Sequence, residues 1–171
     1  PNVEVLAGDL LTARPTVPID YALVAHVLYH LPDEDWPQIL RRLLDFQSPD
    51  GQLVIILKSG YSGCNLMLER FGAQRFDLMS QITTHTDKFS GFDLKVDQLS
   101  ATVQTTSYED TEKIARFMMC DRGLDEFPTP PDEADFVNYV TTNLWNPTLL
   151  RGGWDYEVTV CTITKAATST R

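Results

Sequence analysis

The stretch from Asp20 to Leu44, DYALVAHVLYHLPDEDWPQILRRLL, leaves the rest of the chain the least freedom, because it joins a strand, a loop and a helix within one short span. Tyr21 to Val24 is an apolar run with an acid before it, which predicts a strand buried on both faces of a parallel sheet. From Ala25 to Leu31 the chain carries His26, Tyr29 and His30 among apolar residues, where polar groups at a strand's carboxyl end line a ligand crevice. Acids at Asp33, Glu34 and Asp35, Pro37 in the first turn and an apolar stripe at Trp36, Ile39, Leu40, Leu43 and Leu44 then predict an amphipathic helix. Strand, loop and crossover helix in that order belong to a doubly wound α/β domain.

The flanks extend this plan. Val3 to Ala7 predicts a short strand that leaves the sheet at Gly8-Asp9-Leu10. Ser48-Pro49-Asp50-Gly51 predicts a turn, and Leu53 to Leu57, the most apolar run in the chain, a central strand followed by a loop from Lys58 to Gly63. A helix is expected from Asn65 to about Phe71 with Gly72 as its stop. Gln74 to Ser90 gives no clear pattern, and Asp93 to Thr105 alternates through Leu94, Val96, Leu99, Ala101 and Val103 as one strand. Ser107 and Asp110 form a capping-box pattern for a helix burying Thr111, Ile114, Ala115 and Met118 and ending near Cys120. Residues 121–153 read as a connector or lid: Asp121 to Asp135 is rich in acids and prolines, Asp132 caps a helix through Phe136, Val137, Val140 and Leu144, and Trp145 to Gly153 turns the chain. Tyr156 to Ile163 alternates as a last strand, so the α/β sheet finishes in an antiparallel hairpin.

Composition narrows the class of partner. The 171 residues suit one domain with a real core, and 43% hydrophobic content places the chain among globular proteins, with no membrane partner. A net charge of −10 argues against a nucleic-acid partner, which needs clustered Lys and Arg. Cys64, Cys120 and Cys161 lack metal-ligand spacing to His26, His30 or His85, so no metal is expected and the thiols read as reduced and intracellular, which favours a cytoplasmic location.

The run GDLL, then DYALVAHVLYHLPDEDWPQILRRLL, then SPDGQLVIIL resembles the second half of the class I S-adenosylmethionine-dependent methyltransferase domain. SGYSGCNLMLERFGAQRF and MMCDRGLDEFPTPPDEAD are similar, more weakly, to the histamine N-methyltransferase branch. The resemblance implies a partial Rossmann-like methyltransferase fold, mainly parallel and closed by the hairpin, with S-adenosylmethionine as cofactor. It implies methyl transfer to a small molecule, an amine among the acceptors, as the C-terminal part of a longer enzyme.

Carried over position by position, the resemblance puts Asp9 on the adenine amino group with Leu10 beside the ring, and Ala25 and His26 at the sulfonium end. It makes His26 the catalytic residue, able to take or steer an acceptor's proton, and gives Tyr29, His30, Phe76, Cys120 and Asp155 to the substrate pocket. Cys64 and Leu68 stand where the amine-methylating relatives carry tryptophans, which argues against histamine itself. Read from the residues alone, the commoner role of His26 is that of a hydrogen-bonded strand-end histidine, of Asp9 a turn cap, of Cys120 an inert thiol and of Asp155 a solvated acid; the resemblance brings the two roles of His26 level.

The chain departs from the family at its front, where the first two strands and the glycine-rich turn have no counterpart. In the family's order those strands separate Val3 to Ala7 from Tyr21 to Val24, so no ladder is expected between these two segments. Either a missing N-terminal half or another chain then completes the sheet, or the fold is rewired, and the alternative function is a non-catalytic methyltransferase-like remnant or subunit acting in assembly.

Overall fold

Proline lacks a backbone donor, so a helix that carries one starts at it. Helix α1, Trp36–Asp45, does this with Pro37 in its first turn, directly after a 3₁₀ turn at Asp33–Asp35. The computed structural model describes residues 5, 8, 11–59, 63–72, 77–120 and 131–166. Most of Val3 to Ala7 lies outside the described residues, and so does the expectation that this segment forms a strand without a ladder to Tyr21–Val24; Val5 is described, outside any strand.

The chain divides into two compact units, one of Pro1–Leu57, Leu78–Asp97 and Thr159–Arg171, the other of Lys58–Asp77 and Gln98–Val158. In the first unit, β1 (Ile19–Ala25) pairs in parallel with β2 (Gln47–Lys58). The sheet continues with the last residues of β5 (Arg151–Lys165) and then the first residues of β3 (Phe92–Thr105), in the order β1-β2-β5-β3. The Lys165 Nζ donates to the Gln47 carbonyl at 2.7 Å, and the Ala166 N–H to the Gly91 carbonyl at 2.9 Å. The end of β5 thus lies at the starts of both neighbours, so it runs antiparallel to each. Among the described residues the sheet is therefore mixed, with β1–β2 as its parallel pair, rather than mainly parallel, because its last strand enters between β2 and β3 against both.

The Ser48 to Gly51 turn interrupts the β1–β2 ladder from within. Ile19 faces Gln47 but Tyr21 faces Gln52, so these residues loop out as a bulge. Gly51 is needed there, since a Cβ would stand 2.6 Å from the Ile19 carbonyl oxygen. Past the bulge, Val24 pairs with Ile55, and Val24, Leu53, Ile55 and Leu57 are all buried. The opposite face is different. Tyr21 and Leu23, paired with Gln52 and Val54, are each 54% exposed. The expectation of a strand buried on both faces is therefore corrected: β1 is covered on one. Leu94, Val96 and Leu99 of β3 are exposed as well. On the covered side α1 buries Trp36, Ile39, Leu40 and Leu44, and it contacts α3 (Leu78–Thr84), which formed in the stretch without a clear sequence pattern.

The second unit is mostly helical. Helix α2 is Gly63–Arg70, α4 is Tyr108–Cys120, and α5 is Glu133–Tyr139, continued by a π-turn at Val140–Leu144. Both expected caps are present. The Asp110 N–H donates to Ser107 Oγ at 3.0 Å, and Asp132 Oδ1 accepts from the N–H groups of Ala134 and Asp135 at 2.8 and 3.3 Å. Met67, Leu68, Ala115, Met119, Phe136, Val140, Leu144 and Trp154 form one buried cluster. On its surface Arg116 bonds both Glu112 and Glu133, and its hydrogen bonds hold the Glu133 carboxyl below the usual range. The short strand β4, Trp145–Asn146, pairs antiparallel with the start of β5, so the hairpin tip falls at residues 147–150. Of the expected lid at 121–153, residues 121–130 lie outside the described residues, and 133–144 are helical. No helix among the described residues is long and apolar enough to cross a membrane.

Candidate functional site

Where β1 ends, the chain must leave the sheet at once. Ala25 is its last residue, and the His26 N–H still donates to the Ile56 carbonyl of β2 at 2.9 Å. His26 then turns with φ of 52°, a left-handed conformation that costs a residue with a Cβ roughly 1–2 kcal/mol. Such strain concentrates at sites where geometry serves chemistry. The next residues form a 3₁₀ turn, Leu28–His30, closed by Leu31 N–H to the Leu28 carbonyl at 2.9 Å. The Trp36 indole N–H reaches the Leu31 carbonyl at 3.1 Å, which ties the turn to the start of α1.

Inside this turn the expected residues come together. His26 Nδ1 and the Tyr29 hydroxyl are hydrogen-bonded, and the Tyr29 ring stands edge-on to His30 with centroids 5.5 Å apart. Tyr29 is 4% exposed, while His26 and His30 are open to solvent. The cluster thus has a buried phenol at its centre and an exposed imidazole on each side. An imidazole ionises near neutral pH, so the group at the strand end can accept or deliver a proton. Ala25 offers only a methyl group beside it, and neither Ala25 nor Tyr29 carries a charge that would repel a cationic group.

The other expected residues fall elsewhere. Asp9, Leu10 and Phe76 lie outside the described residues, as does the side chain of Cys120, which ends α4. Asp155 belongs to the second unit and lines an open cleft of about 580 Å³ there, with Gln104, Thr142, Trp145, Asn146 and Arg151. Gly152 and Gly153 form part of the cleft. Gly153 has φ of 130°, and a Cβ on it would lie 1.8 Å from the Val103 carbonyl oxygen, so β5 can approach β3 here only as bare backbone. The cleft offers a carboxylate and a guanidinium to a polar ligand.

Lys58, expected to open a loop, is instead the last residue of β2. Lys58 and Ser59 are buried at the end of β2, and Asn65, 2% exposed, donates from Nδ2 to the Ser59 carbonyl at 2.7 Å. The signal was present in a lysine placed directly after the most apolar strand, where a solvated lysine would be out of place. Among the described residues no three His, Cys, Asp or Glu side chains are grouped to hold a metal ion.

No protein-family model matches the chain, and no curated protein sequence matches it. Solved structures do. The crystal structure of a candidate methyltransferase from Bacillus halodurans C-125 matches 96% of this chain and 78% of its own, at 13% identity and a TM-score of 0.56. A functionally unknown protein from Deinococcus radiodurans R1 matches 90% of this chain and 55% of its own, at 13% identity and a TM-score of 0.48. At this identity the first likeness is one of fold, and the chain shares the α/β architecture of the Bacillus halodurans protein.

Proposed function

We propose that the chain acts in S-adenosylmethionine-dependent methyl transfer to a small molecule, with an amine as the acceptor class. The observation that carries this reading is His26, held in a left-handed backbone at the carboxyl end of a parallel strand with its ring hydrogen-bonded to Tyr29. The fold shared with the Bacillus halodurans protein supports it. Ala25 and His26 would border the sulfonium end of the cofactor, which when bound supplies an electrophilic methyl group. The protein's part is to hold an acceptor close and aligned. An ammonium has no lone pair to attack with, so an amine must first give up a proton, and His26 takes it or passes it to water. His30 borders the same opening, and the resemblance adds Asp9, Leu10, Phe76, Cys120 and Asp155 to the set.

Isothermal titration with S-adenosylhomocysteine tests this. In the longer enzyme that the resemblance implies, the ligand should give a saturable heat, and Ala25→Trp, which fills the strand end, should weaken binding at least about tenfold, or 1.4 kcal/mol. No heat from that longer, folded enzyme would sink the reading, whereas the 171-residue chain by itself is expected to give little or none. A second reading, a methyltransferase-like subunit working in assembly, is favoured by one observation: Tyr21 and Leu23 leave an apolar sheet face in solvent. Sedimentation velocity of the parent beside a Leu23→Lys variant decides it, since an assembling face loses association on gaining a charge.

A further inference from the structure

We infer that the outer edge of β3 is a self-association surface: β3 of a second copy of this chain adds to it antiparallel, about a two-fold axis at Leu94. The inference stands apart from the methyl-transfer reading and from the Tyr21 and Leu23 face. β3 is the last strand in the order β1-β2-β5-β3, so β5 pairs with one of its edges, and no strand among the described residues pairs with the other. Ten residues in succession, Asp93 to Thr102, are exposed. Successive side chains point to opposite faces, so neither face of this stretch is covered and the outer edge stands in solvent. Such an edge carries a row of unpaired N–H and C=O groups, which pair readily with another strand.

The side chains on this edge complement a second copy of themselves. The Arg41 guanidinium of α1 lies over the Phe92 ring, 5.2 Å from its centroid, so Phe92 points to the face that carries α1, and Leu94 and Val96 point with it. Asp93, Lys95 and Asp97 share the opposite face, where Lys95 and Asp97 pair at 2.8 Å. Backbone groups alternate as well. The Gly91 carbonyl accepts from the Ala166 N–H, directly after β5, so Gly91, Asp93 and Lys95 turn towards β5, while Phe92, Leu94 and Val96 turn outward. A two-fold axis pairs residues at equal distances on either side of one centre. Centred on Leu94, it sets Leu94 against Leu94 and Phe92 against Val96 twice, all of them outward-turned and joined by about six backbone hydrogen bonds. On the other face it sets Asp93 against Lys95 twice, acid against base. Neighbouring centres fail. Lys95 at the centre meets its own copy and sets Asp93 against Asp97, and Asp97 at the centre meets itself. Val96 at the centre pairs Lys95 with Asp97 but sets Leu94 against Gln98 and Asp93 against Leu99. A lysine on an edge guards it where it meets a like charge; in the Leu94 register it meets an acid.

Sedimentation velocity of the full chain tests this from micromolar to millimolar concentration, in a Leu23→Lys background so that the Tyr21 and Leu23 face is not what is read. The expected result is a concentration-dependent dimer. Lys95→Asp sets acid against acid at both charge pairs, and Asp93→Lys sets lysine against lysine, so each should raise the dissociation constant at least about tenfold. Both positions are exposed, so neither exchange touches the core. Mixed in equal amounts, the two variants should dimerise again, because at both pairs every acid of one chain meets a lysine of the other. A parent that stays monomeric overturns the inference, and so does a single variant with the parent's dissociation constant. A mixture that stays monomeric overturns it as well, since the Leu94 register restores both pairs.

Discussion

Gln47 is the buried side chain with the least reason to be polar. It is 4% exposed, and its Nε2 and Oε1 are both buried without a hydrogen-bond partner among the described residues, although its backbone carbonyl accepts from Lys165. An amide left unsatisfied in the interior costs about 1–3 kcal/mol, so Gln47→Leu should raise stability by about 1–2 kcal/mol. Urea unfolding with an unchanged slope measures it, and a lower midpoint would mean that the amide does bind something in solution. Cys161, also fully buried, is a free thiol whose burial pushes its pKa up to about 11. The neutral thiol is thus favoured by folding. Its contribution is complete below the ordinary thiol pKa of about 8.5, where neither state ionises. As pH rises from there towards about 11, the unfolded chain ionises first and the contribution is lost. Cys161→Val, close in size and unable to ionise, should flatten the alkaline limb of the melting-temperature profile; an unchanged limb would show that other groups govern it.

At the scale of elements, the parts set by local chemistry were legible. Pro37 started α1, Ser107 with Asp110 opened α4, and Asp132 capped α5, because each is decided by hydrogen bonds within a few residues. What lies over a strand is not decided locally. The Tyr21 to Val24 run is apolar throughout, and such a run carries no mark of whether a second layer covers it. Leu94, Val96 and Leu99 alternate in part as a half-buried strand should, yet they are 37%, 39% and 56% exposed. The one-sided sheet makes a sharp contrast between neighbours. Leu53→Ala, on the covered face at 0% exposure, should cost about 2–5 kcal/mol, whereas Leu23→Ala, at 54%, should cost under about 1 kcal/mol. Equal losses in urea unfolding would mean that both faces of β1 are packed in solution.

Across the whole molecule, the candidate site was legible where its residues are close in sequence. His26, Tyr29 and His30 meet because one strand end and one turn hold all three, whereas the place of Asp155 depends on where β5 starts, and the sequence pattern put that start five residues too late. The left-handed φ of His26 had no sequence signal, since nothing in the residue type demands it. Charge was legible throughout and has its own consequence. The chain has 24 acids against 14 lysines and arginines. Its ion pairs at Arg41–Asp45, Lys113–Glu109 and Arg116–Glu112 are helical pairs at the surface, where water and salt screen them and each contributes little. Repulsion among the excess acids acts over the whole surface and opposes compaction. Salt weakens both, since the Debye length falls from about 30 Å at 0.01 M to less than about 8 Å above 0.15 M. With an excess of ten acids, repulsion is the larger of the two. The melting temperature at neutral pH should therefore rise between about 0.01 M and 0.5 M sodium chloride. A fall over that range would show that the surface pairs, and not the net charge, govern the electrostatic stability of the fold.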